Sequence, residues 1–256
     1  MFELYPLRFR VISTGRIWTA NLLRGAFGSA LKKLDEQAYA RFFTPTAESL
    51  PAIAIRPGPS GLRNLPRPFV FRMREVTTGD AEIGVNLFLP SALDLVCRVM
   101  HELDFELIRQ PQPLQLSLVA PPSIPGIQRL RVRFLTPTEL KGSDTPGFGP
   151  LFCRIRDRIS TLRALYGSGP LDLDFRSFGQ RAAAVRMTRC ELHTVEQQRT
   201  SKGTGQRHSI GGFTGVAEYE GEVAEFIPYL EAARWTGVGR QTVWGKGEIA
   251  VEVQGG

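Results

Sequence analysis

The chain has 256 residues, a formal net charge of +7 and 42% apolar residues, which excludes global disorder and suggests one large or two small domains. Its three cysteines, Cys97, Cys153 and Cys190, form no C-x-x-C pair, which excludes a disulfide framework and a cysteine-built zinc site. No apolar run approaches the roughly 18 residues of a membrane span, so we expect no membrane partner and a cytoplasmic location, where thiols stay reduced.

The positive charge is carried almost entirely by arginine, with 27 Arg against 5 Lys. Arginine presents a rigid fork of donors that matches phosphate and stacks on bases, whereas lysine is a point charge. Nucleic acid is therefore the leading candidate partner. A GC-rich genome also favours arginine over lysine, and this alternative stays open for the ratio by itself.

The first half of the chain has the order strand, helix, two strands, helix, strand. The predicted strands are residues 3–12, 69–76, 82–89 and a stretch within 105–119, and the predicted helices are residues 21–41 and 91–103. Their apolar residues recur with the period of each element, and Asn21 and Ser91 are the expected N-caps. Residues 44–68 are rich in proline and glycine and predict loops with a short strand near 52–56.

The same order repeats in the second half, after the segment PPSIPG at 121–126, which is the best candidate boundary. The predicted strands are residues 130–137, 182–192, 213–219 and 247–253, and the predicted helices are residues 151–166 and 222–234. In the first of these strands Arg131 and Arg133 alternate with apolar residues, so one face is basic and the other apolar.

Two consecutive units of this order predict an α+β fold of two tandem ferredoxin-like (RRM-like) domains, residues 1–122 and residues 127–256. Helices packed on one face of each sheet would leave the opposite face free for a ligand. Helix 151–166 carries four arginines outside its apolar stripe: Arg154, Arg156, Arg158 and Arg163. This arrangement is typical either of an RNA-contacting finger or of a solvated basic face.

The sharpest local motif is GVGRQTVWGKGEI at 237–249, with two G-x-G units around Arg240, Trp244 and Lys246. A dinucleotide fingerprint would need glycine where Thr242 stands, and a P-loop would need serine or threonine where Gly247 stands. Two interpretations remain for this loop. Its amides and cations could bind a nucleic-acid backbone, or it could be a hairpin turn with packing glycines.

Three segments carry a resemblance to a known family. Residues 211–249, with the G-G-x-x-G of GGFTG followed by GVGRQTVWGKG, resemble the C-terminal signature of CRISPR-associated endoribonucleases of the RAMP superfamily. LLRGAFGSAL at 22–31 and FLTPTELKG at 134–142 resemble two further segments of that superfamily. Its members fold as two tandem ferredoxin-like domains, in agreement with the element order of this chain.

The resemblance implies an enzyme that cleaves precursor CRISPR RNA within each repeat and retains the stem-loop of the crRNA. The implied reaction needs no metal or other cofactor: the 2′-hydroxyl attacks the scissile phosphate and leaves a 2′,3′-cyclic phosphate and a 5′-hydroxyl. Repeat RNA and subunits of a CRISPR effector complex are the implied partners. The alternative is a catalytically inactive RAMP subunit that only binds RNA.

The chain departs from the family where a catalytic histidine is expected, because the first 100 residues contain none. His208, in the polar segment RTSKGTGQRHS before Gly211, is the candidate base that remains. Otherwise Arg24 and Arg41 of the first domain do most of the work by orienting the 2′-hydroxyl and neutralising charge, since arginine is a poor base. The missing histidine suggests a divergent branch of this family, and the type IV CRISPR systems are the candidate subtype.

The candidate RNA-binding residues are basic or lie in the glycine-rich loop 237–247. They are Arg16, Lys32, Lys33, Arg131, Arg133, Arg154, Arg156, Arg158, Arg163, Lys202, Arg207, Gly237, Gly239, Arg240, Trp244 and Lys246. No metal ligands are predicted, because the few histidines and cysteines lack ligand spacing.

Overall fold

The computed structural model describes residues 1–12, 18–45, 65–75, 81–119, 128–196, 198–200, 207–209 and 211–254. The chain divides into two compact units. The first comprises Met1–Leu116, Ser160–Leu171 and Val243–Gly245, and the second comprises Ser117–Ile159, Asp172–Thr242 and Lys246–Gly256. The predicted boundary at 121–126 lies outside the described residues, so the domain limits 1–122 and 127–256 stay a prediction.

In the described residues up to Leu116, the first unit has one antiparallel sheet and three α-helices. Its strands are β1 (Phe2–Val11), β2 (Phe69–Glu75), β3 (Ala81–Leu87), β4 (Phe105–Leu107) and β5 (Leu114–Leu116), and its helices are α1 (Ala20–Leu34), α2 (Glu36–Phe43) and α3 (Leu93–His101). The strand order is β2-β3-β1-β4, and β5 also pairs with β1. This order and connectivity are those of a ferredoxin-like domain.

Aromatic residues dominate the core of the first unit. Phe27 of α1 packs against Phe69 and Phe71 of β2, with ring centroids 5.4 Å apart in both pairs. Phe42 and Phe43 of α2 complete the cluster and are buried. Tilted and edge-to-face pairs of this kind contribute beyond the apolar area that they bury.

The predicted helix 21–41 is two helices, because Asp35 interrupts it. Asp35 has extended backbone angles, ends α1 and caps α2 by accepting a hydrogen bond from the Ala38 amide at 2.8 Å. The expected N-cap Asn21 is wrong, since Thr19 accepts from the Leu22 amide at 3.2 Å. The expected cap Ser91 is also wrong: it lies in a short 3₁₀ turn, Pro90–Ala92, and α3 begins at Leu93.

In its described residues, the second unit has a four-stranded antiparallel sheet, a short two-stranded ribbon and three α-helices. Its elements are β6 (Arg129–Thr138), α4 (Phe148–Tyr166, which belongs to this unit as far as Ile159), α5 (Phe175–Ala184), β7 (Arg186–Val195), β8 (Gln198–Thr200), β9 (Arg207–Ser209), β10 (Gly212–Glu220), α6 (Ile227–Thr236) and β11 (Ile249–Gln254). The sheet order is β11-β6-β10-β7, and β8 pairs with β9. The predicted α+β fold of two tandem ferredoxin-like domains is confirmed.

Helices of the second unit pack on one face of its sheet through a second aromatic cluster. Phe152 of α4 lies 4.5 Å from Phe226 and 4.9 Å from Phe178 of α5, measured between ring centroids. Tyr219 of β10 is fully buried, and its hydroxyl donates to the Pro146 carbonyl at 2.6 Å. That bond satisfies the one polar group which this ring carries into the core.

Two elements of the second unit depart from the sequence prediction. Helix α5 is not predicted, and its N-cap is Asp174, which accepts from the amides of Arg176 and Ser177. The polar segment RTSKGTGQRHS contains β9 and most of β8, neither of which is predicted. Short polar strands escape a pattern search because nothing apolar marks their period.

In the described part of the chain, no helix is both long and apolar enough to cross a membrane. The same residues contain no group of three or more His, Cys, Asp or Glu side chains placed to hold a metal ion.

Candidate nucleic-acid interface

The glycine-rich loop 237–247, called the glycine loop below, follows α6 and leads to β11. The Val238 amide donates to the Gly247 carbonyl at 2.8 Å, and the Gly247 amide donates to the Pro137 carbonyl at 3.1 Å. Gly239 and Gly247 have φ of 78° and 70°, a region that side chains disfavour. A Cβ at Gly239 would collide with the Glu139 carbonyl, and one at Gly247 with the Val238 carbonyl. The loop is therefore a closely packed structure.

Glu139, directly after β6, contacts the glycine loop through both its backbone and its side chain. Its carbonyl accepts from the Arg240 amide at 3.1 Å. Its carboxylate accepts from Arg240 Nη1 at 2.6 Å and lies 3.5 Å from Lys246 Nζ. Both predicted cations of the loop therefore meet one carboxylate that is absent from the sequence-predicted site. Its only sequence signal is an acid within the segment FLTPTELKG.

The two cations differ in exposure. The Lys246 side chain is 5% exposed and that of Arg240 is 61% exposed. Lys246 Nζ donates to the Gly211 carbonyl at 2.5 Å and to Gln241 Oε1 at 3.0 Å. Burial lowers the pKa of Lys246, and the charge of Glu139 partly opposes that shift. An ammonium has three donors, and those of Lys246 are directed at protein acceptors, so Arg240 is the cation that the loop presents to solvent.

Arg158 of α4 holds the start of the loop. Its Nε donates to the Thr236 carbonyl at 2.9 Å, at the end of α6, and its Nη2 donates to Thr242 Oγ1 at 2.7 Å. A cation at a helix C-terminus satisfies carbonyls that lack a helical partner. Gly237, which ends α6 with φ of 74°, donates its amide to the Ala233 carbonyl.

Residues 243–245 of the loop pack within the first unit. Val243 and Trp244 join its core cluster, and the Arg24 guanidinium lies 5.2 Å from the ring centroids of both Trp244 and Phe43. A guanidinium between two rings is stabilised by cation–π attraction. Arg24 of α1, a predicted catalytic residue, is therefore partly buried in an aromatic setting.

The other predicted cations of the first unit lie at helix ends. Arg41, in the last turn of α2, is exposed. Lys32 and Lys33, in the last turn of α1, are also exposed. Lys32 Nζ lies 3.4 Å from a Glu36 carboxylate oxygen and 5.8 Å from the Tyr39 ring centroid.

The four arginines of α4 do not form one exposed stripe. Arg156 is 3% exposed, and it donates to Asp157 Oδ1 at 2.7 Å and to the Phe175 carbonyl at 2.6 Å. Arg154 donates to the Lys141 carbonyl at 3.4 Å, and Arg163 donates to Ser168 Oγ at 3.0 Å. The expectation that all four project outward is wrong for Arg156, which is buried because its partners lie inside the unit and compensate its charge there.

The face of the second sheet opposite the helices is covered with ion pairs. Arg131 lies 2.7 Å from Glu218 and 3.4 Å from Glu252, and Arg133 lies 3.6 Å from Glu252. Further ion pairs lie on the same face, and all of these residues together are called the ion-pair face below. The further members are Arg129, Arg186, Arg189, Glu191 and Glu220. The expected basic face is thus largely neutralised, because cross-strand neighbours from β10 and β11 bring carboxylates to it.

The remaining predicted residues lie in or near the β8–β9 ribbon, or outside the described chain. The register of the ribbon places His208 opposite Arg199 and Arg207 opposite Thr200. Arg16 and Lys202 lie outside the described residues.

Three comparisons bear on this arrangement. Residues 132–249, slightly less than half of the chain, match the family model described as CRISPR-associated endoribonuclease Cas6. A comparison with curated proteins finds no match. Among solved structures, the product complex of the Thermus thermophilus Cas6 TTHB231 superposes with a TM-score of 0.64 at 15% identity, over 98% of this chain and 100% of that one.

Two further structures are similar. A Cas6 (TTHA0078) product complex has a TM-score of 0.60 at 18% identity and covers 98% of this chain and 100% of its own. A RAMP protein described as binding different RNA substrates has a TM-score of 0.50 at 10% identity and covers 98% of this chain and 99% of its own. At such identities the likeness is one of fold.

The tandem ferredoxin-like fold of this chain is that of the Cas6 and RAMP structures to which it is similar. The glycine loop lies within the segment that matches the family model described as CRISPR-associated endoribonuclease Cas6. The predicted resemblance to CRISPR repeat endoribonucleases of the RAMP superfamily is confirmed.

Proposed function

We propose that the protein is an endoribonuclease which binds precursor CRISPR RNA and cleaves it within the repeat. The observation that carries this proposal is the Cas6 match over 132–249, which contains most of β6, the glycine loop and Glu139. The fold likeness to Cas6 structures determined with RNA product supports repeat RNA as the ligand. CRISPR effector subunits are the further partners that we propose, and we keep the type IV systems as the candidate subtype.

The proposed reaction is a transesterification. The 2′-oxygen forms a bond to the scissile phosphorus while the bond from phosphorus to the 5′-oxygen breaks. The proton of the 2′-hydroxyl passes to a base, and the leaving oxygen takes a proton from an acid. A 2′,3′-cyclic phosphate and a 5′-hydroxyl result, and no metal is required.

Three residues are proposed for catalysis. His208 is the candidate base because a histidine titrates near neutral pH. Arg24 and Arg41 are the candidate cations, which would stabilise negative charge on the phosphorane. The setting of Arg24 between Phe43 and Trp244 supports a fixed orientation, and the exposure of Arg41 supports access to RNA.

The exposed cations of each unit are the first proposed RNA-binding residues. Arg240 presents its guanidinium from the glycine loop, and Lys32 and Lys33 present their ammonium groups from the end of α1. Arg133 of β6 is also accessible, with 53% of its side chain exposed. Three cations are buried or bridge two elements, and we propose that they stabilise the elements which carry the RNA-binding residues. They are Arg156, Arg158 and Lys246.

The test is cleavage of labelled CRISPR repeat RNAs by the purified protein in excess EDTA. Each RNA is paired with a copy that carries a 2′-deoxy nucleotide at the cleaved position. We expect cleavage of the ribose form alone, because only that form has the nucleophile. Cleavage of both forms, or cleavage only after a metal is added, would contradict the proposed reaction.

A variant series assigns the base. We expect His208→Ala to lose at least about 100-fold in cleavage rate, the usual contribution of a positioned base, while RNA affinity persists. The matched control is His193→Ala, which changes an exposed histidine of β7. Full activity of His208→Ala would shift the role to Arg24 and Arg41.

One observation favours a second candidate, a catalytically inactive RNA-binding subunit. The first 100 residues contain no histidine, where the resembled family often places one. Tight binding of repeat RNA without cleavage of any repeat would support this candidate.

A further inference from the structure

The carboxylate of Glu139 is paired with Arg240, the cation that the glycine loop presents to solvent. Arg240 Nη1 lies 2.6 Å from Glu139 Oε1, although 61% of the Arg240 side chain is exposed. Glu139 itself is only 32% exposed. A phosphate that approaches Arg240 therefore meets a guanidinium already bound to an anion.

Contacts other than that carboxylate also hold the loop in position. The Arg240 amide is held by the carbonyl of Glu139, which any residue at this position would supply. Val238 and Gly247 are bonded to each other through their backbones. Lys246 is held by Gly211 and Gln241 at shorter distances than the 3.5 Å that separates it from Glu139.

We propose that Glu139 is a resident anion which competes with RNA phosphate for Arg240 and so sets how strongly the glycine loop binds RNA. The proposal rests on the RNA-binding function proposed above. It assigns Glu139 a role opposite to that of the surrounding cations, because its charge opposes binding while its backbone supports the loop.

The expected size of the effect follows from the exposure of the pair. Partly exposed ion pairs are worth about 0.2–1 kcal/mol, which corresponds to a factor of about 1.4 to 5 in a binding constant. Glu139→Gln removes the charge and keeps the shape and the backbone. We therefore expect it to strengthen RNA binding about 1.4- to five-fold at low salt, with a gain that shrinks as salt screens the charges.

The matched control is Glu225→Gln. Glu225 is 34% exposed and paired with Arg181 at 2.7 Å, so the substitution removes the same charge from a similar pair away from the glycine loop. We expect no gain from it. An equal gain in both variants would overturn the proposal, because it would follow from net charge alone.

A double-mutant cycle then tests whether Arg240 mediates the gain. In an Arg240→Ala background, Glu139→Gln should leave RNA affinity unchanged, since no guanidinium remains to be released. A gain that persists in this background, or a loss of affinity in Glu139→Gln alone, would overturn the proposal.

Elution from heparin separates this proposal from the proposed function. Heparin is an anionic polymer, and we expect Glu139→Gln to elute at higher salt than the parent protein, with Glu225→Gln unchanged. If that order holds while no variant binds repeat RNA, the RNA function is wrong, and Glu139 competes for Arg240 with other polyanions. If RNA binds and the order does not hold, only the competition is wrong.

Discussion

Two cations six residues apart in the glycine loop have different environments. Lys246 is buried against Gly211, Gln241 and Glu139, while Arg240 is mostly exposed. Removal of a buried donor leaves its acceptors without a partner. After removal of an exposed arginine, water can hydrogen-bond to the groups that it contacted. We therefore assign Lys246 to stability and Arg240 to binding.

A pair of variants separates these roles. Lys246→Met keeps much of the aliphatic stem, and we expect it to lower the free energy of unfolding by about 1–3 kcal/mol, because buried acceptors lose their donor. Arg240→Ala should change stability by less than about 0.5 kcal/mol, the usual range for surface positions. Urea unfolding measures both. Equal stability of the two variants would contradict the assignment.

The same pair is distinguished by RNA binding. Arg240→Ala should weaken binding broadly across RNA sequences. It should also flatten the plot of log affinity against log salt by about 0.7 for each single-strand phosphate that Arg240 neutralises in the parent protein. For Lys246→Met, measured under conditions where it is folded, the slope should stay that of the parent. A slope that is unchanged in Arg240→Ala would show that this side chain binds no phosphate.

At the scale of elements, arginines of the second sheet and of helix α4 are paired with carboxylates of the protein itself. The ion-pair face neutralises five arginines with carboxylates, most of them from neighbouring strands. On α4, Arg156 satisfies the carboxylate of the adjacent Asp157, whose pKa is raised by burial, while hydrogen bonding from Arg156 opposes the shift. Most of these arginines pair with a neighbouring strand, and Arg156 also joins α4 to α5 through the Phe175 carbonyl.

The ion-pair face should make stability depend on acid pH. Hydrogen bonds from Arg186 and Arg129 lower the pKa of Glu220. The stability that this pairing contributes is therefore present above the ordinary glutamate pKa, and it is lost as pH falls through the lowered value. We expect the parent protein to exceed Glu220→Gln in stability at about pH 6 and to have lost part of this advantage by about pH 3.

Urea unfolding at both pH values measures that difference. Arg186→Gln should reproduce part of the gap at the higher pH, because Arg186 is the main cause of the shift in the pKa of Glu220. A gap that is the same at both pH values would contradict the role given to Glu220.

At the scale of the whole molecule, the net charge of +7 predicts an electrostatic contribution that does not depend on RNA sequence. We expect affinity for unrelated single-stranded RNA to fall linearly on a log–log plot against salt, because counterions leave the RNA when cations bind it. A peptide nucleic acid of the same sequence, which has no phosphates, is the control and should not bind. Salt-insensitive RNA binding would contradict this prediction.

Much of the architecture could be predicted from the sequence, because each element carries its own periodic pattern. Alternation in β6 and the apolar stripe of α4 are local signals, and the order of such elements indicated two ferredoxin-like domains. The glycine loop was also visible, since its glycines are close in the chain. The break at Asp35 and helix α5 were missed, because capping can interrupt or begin a helix where the apolar pattern does not change.

The sequence by itself determined the fold class, the excess of arginine and the positions of the glycines, all of which are properties of composition or of neighbouring residues. Only the tertiary structure decided what each charge does. Glu139 is 101 residues from Arg240 along the chain, and Arg131 is paired with carboxylates from two other strands. Partners so distant cannot be found from local spacing, because strand pairing and loop packing alone bring them within hydrogen-bond distance.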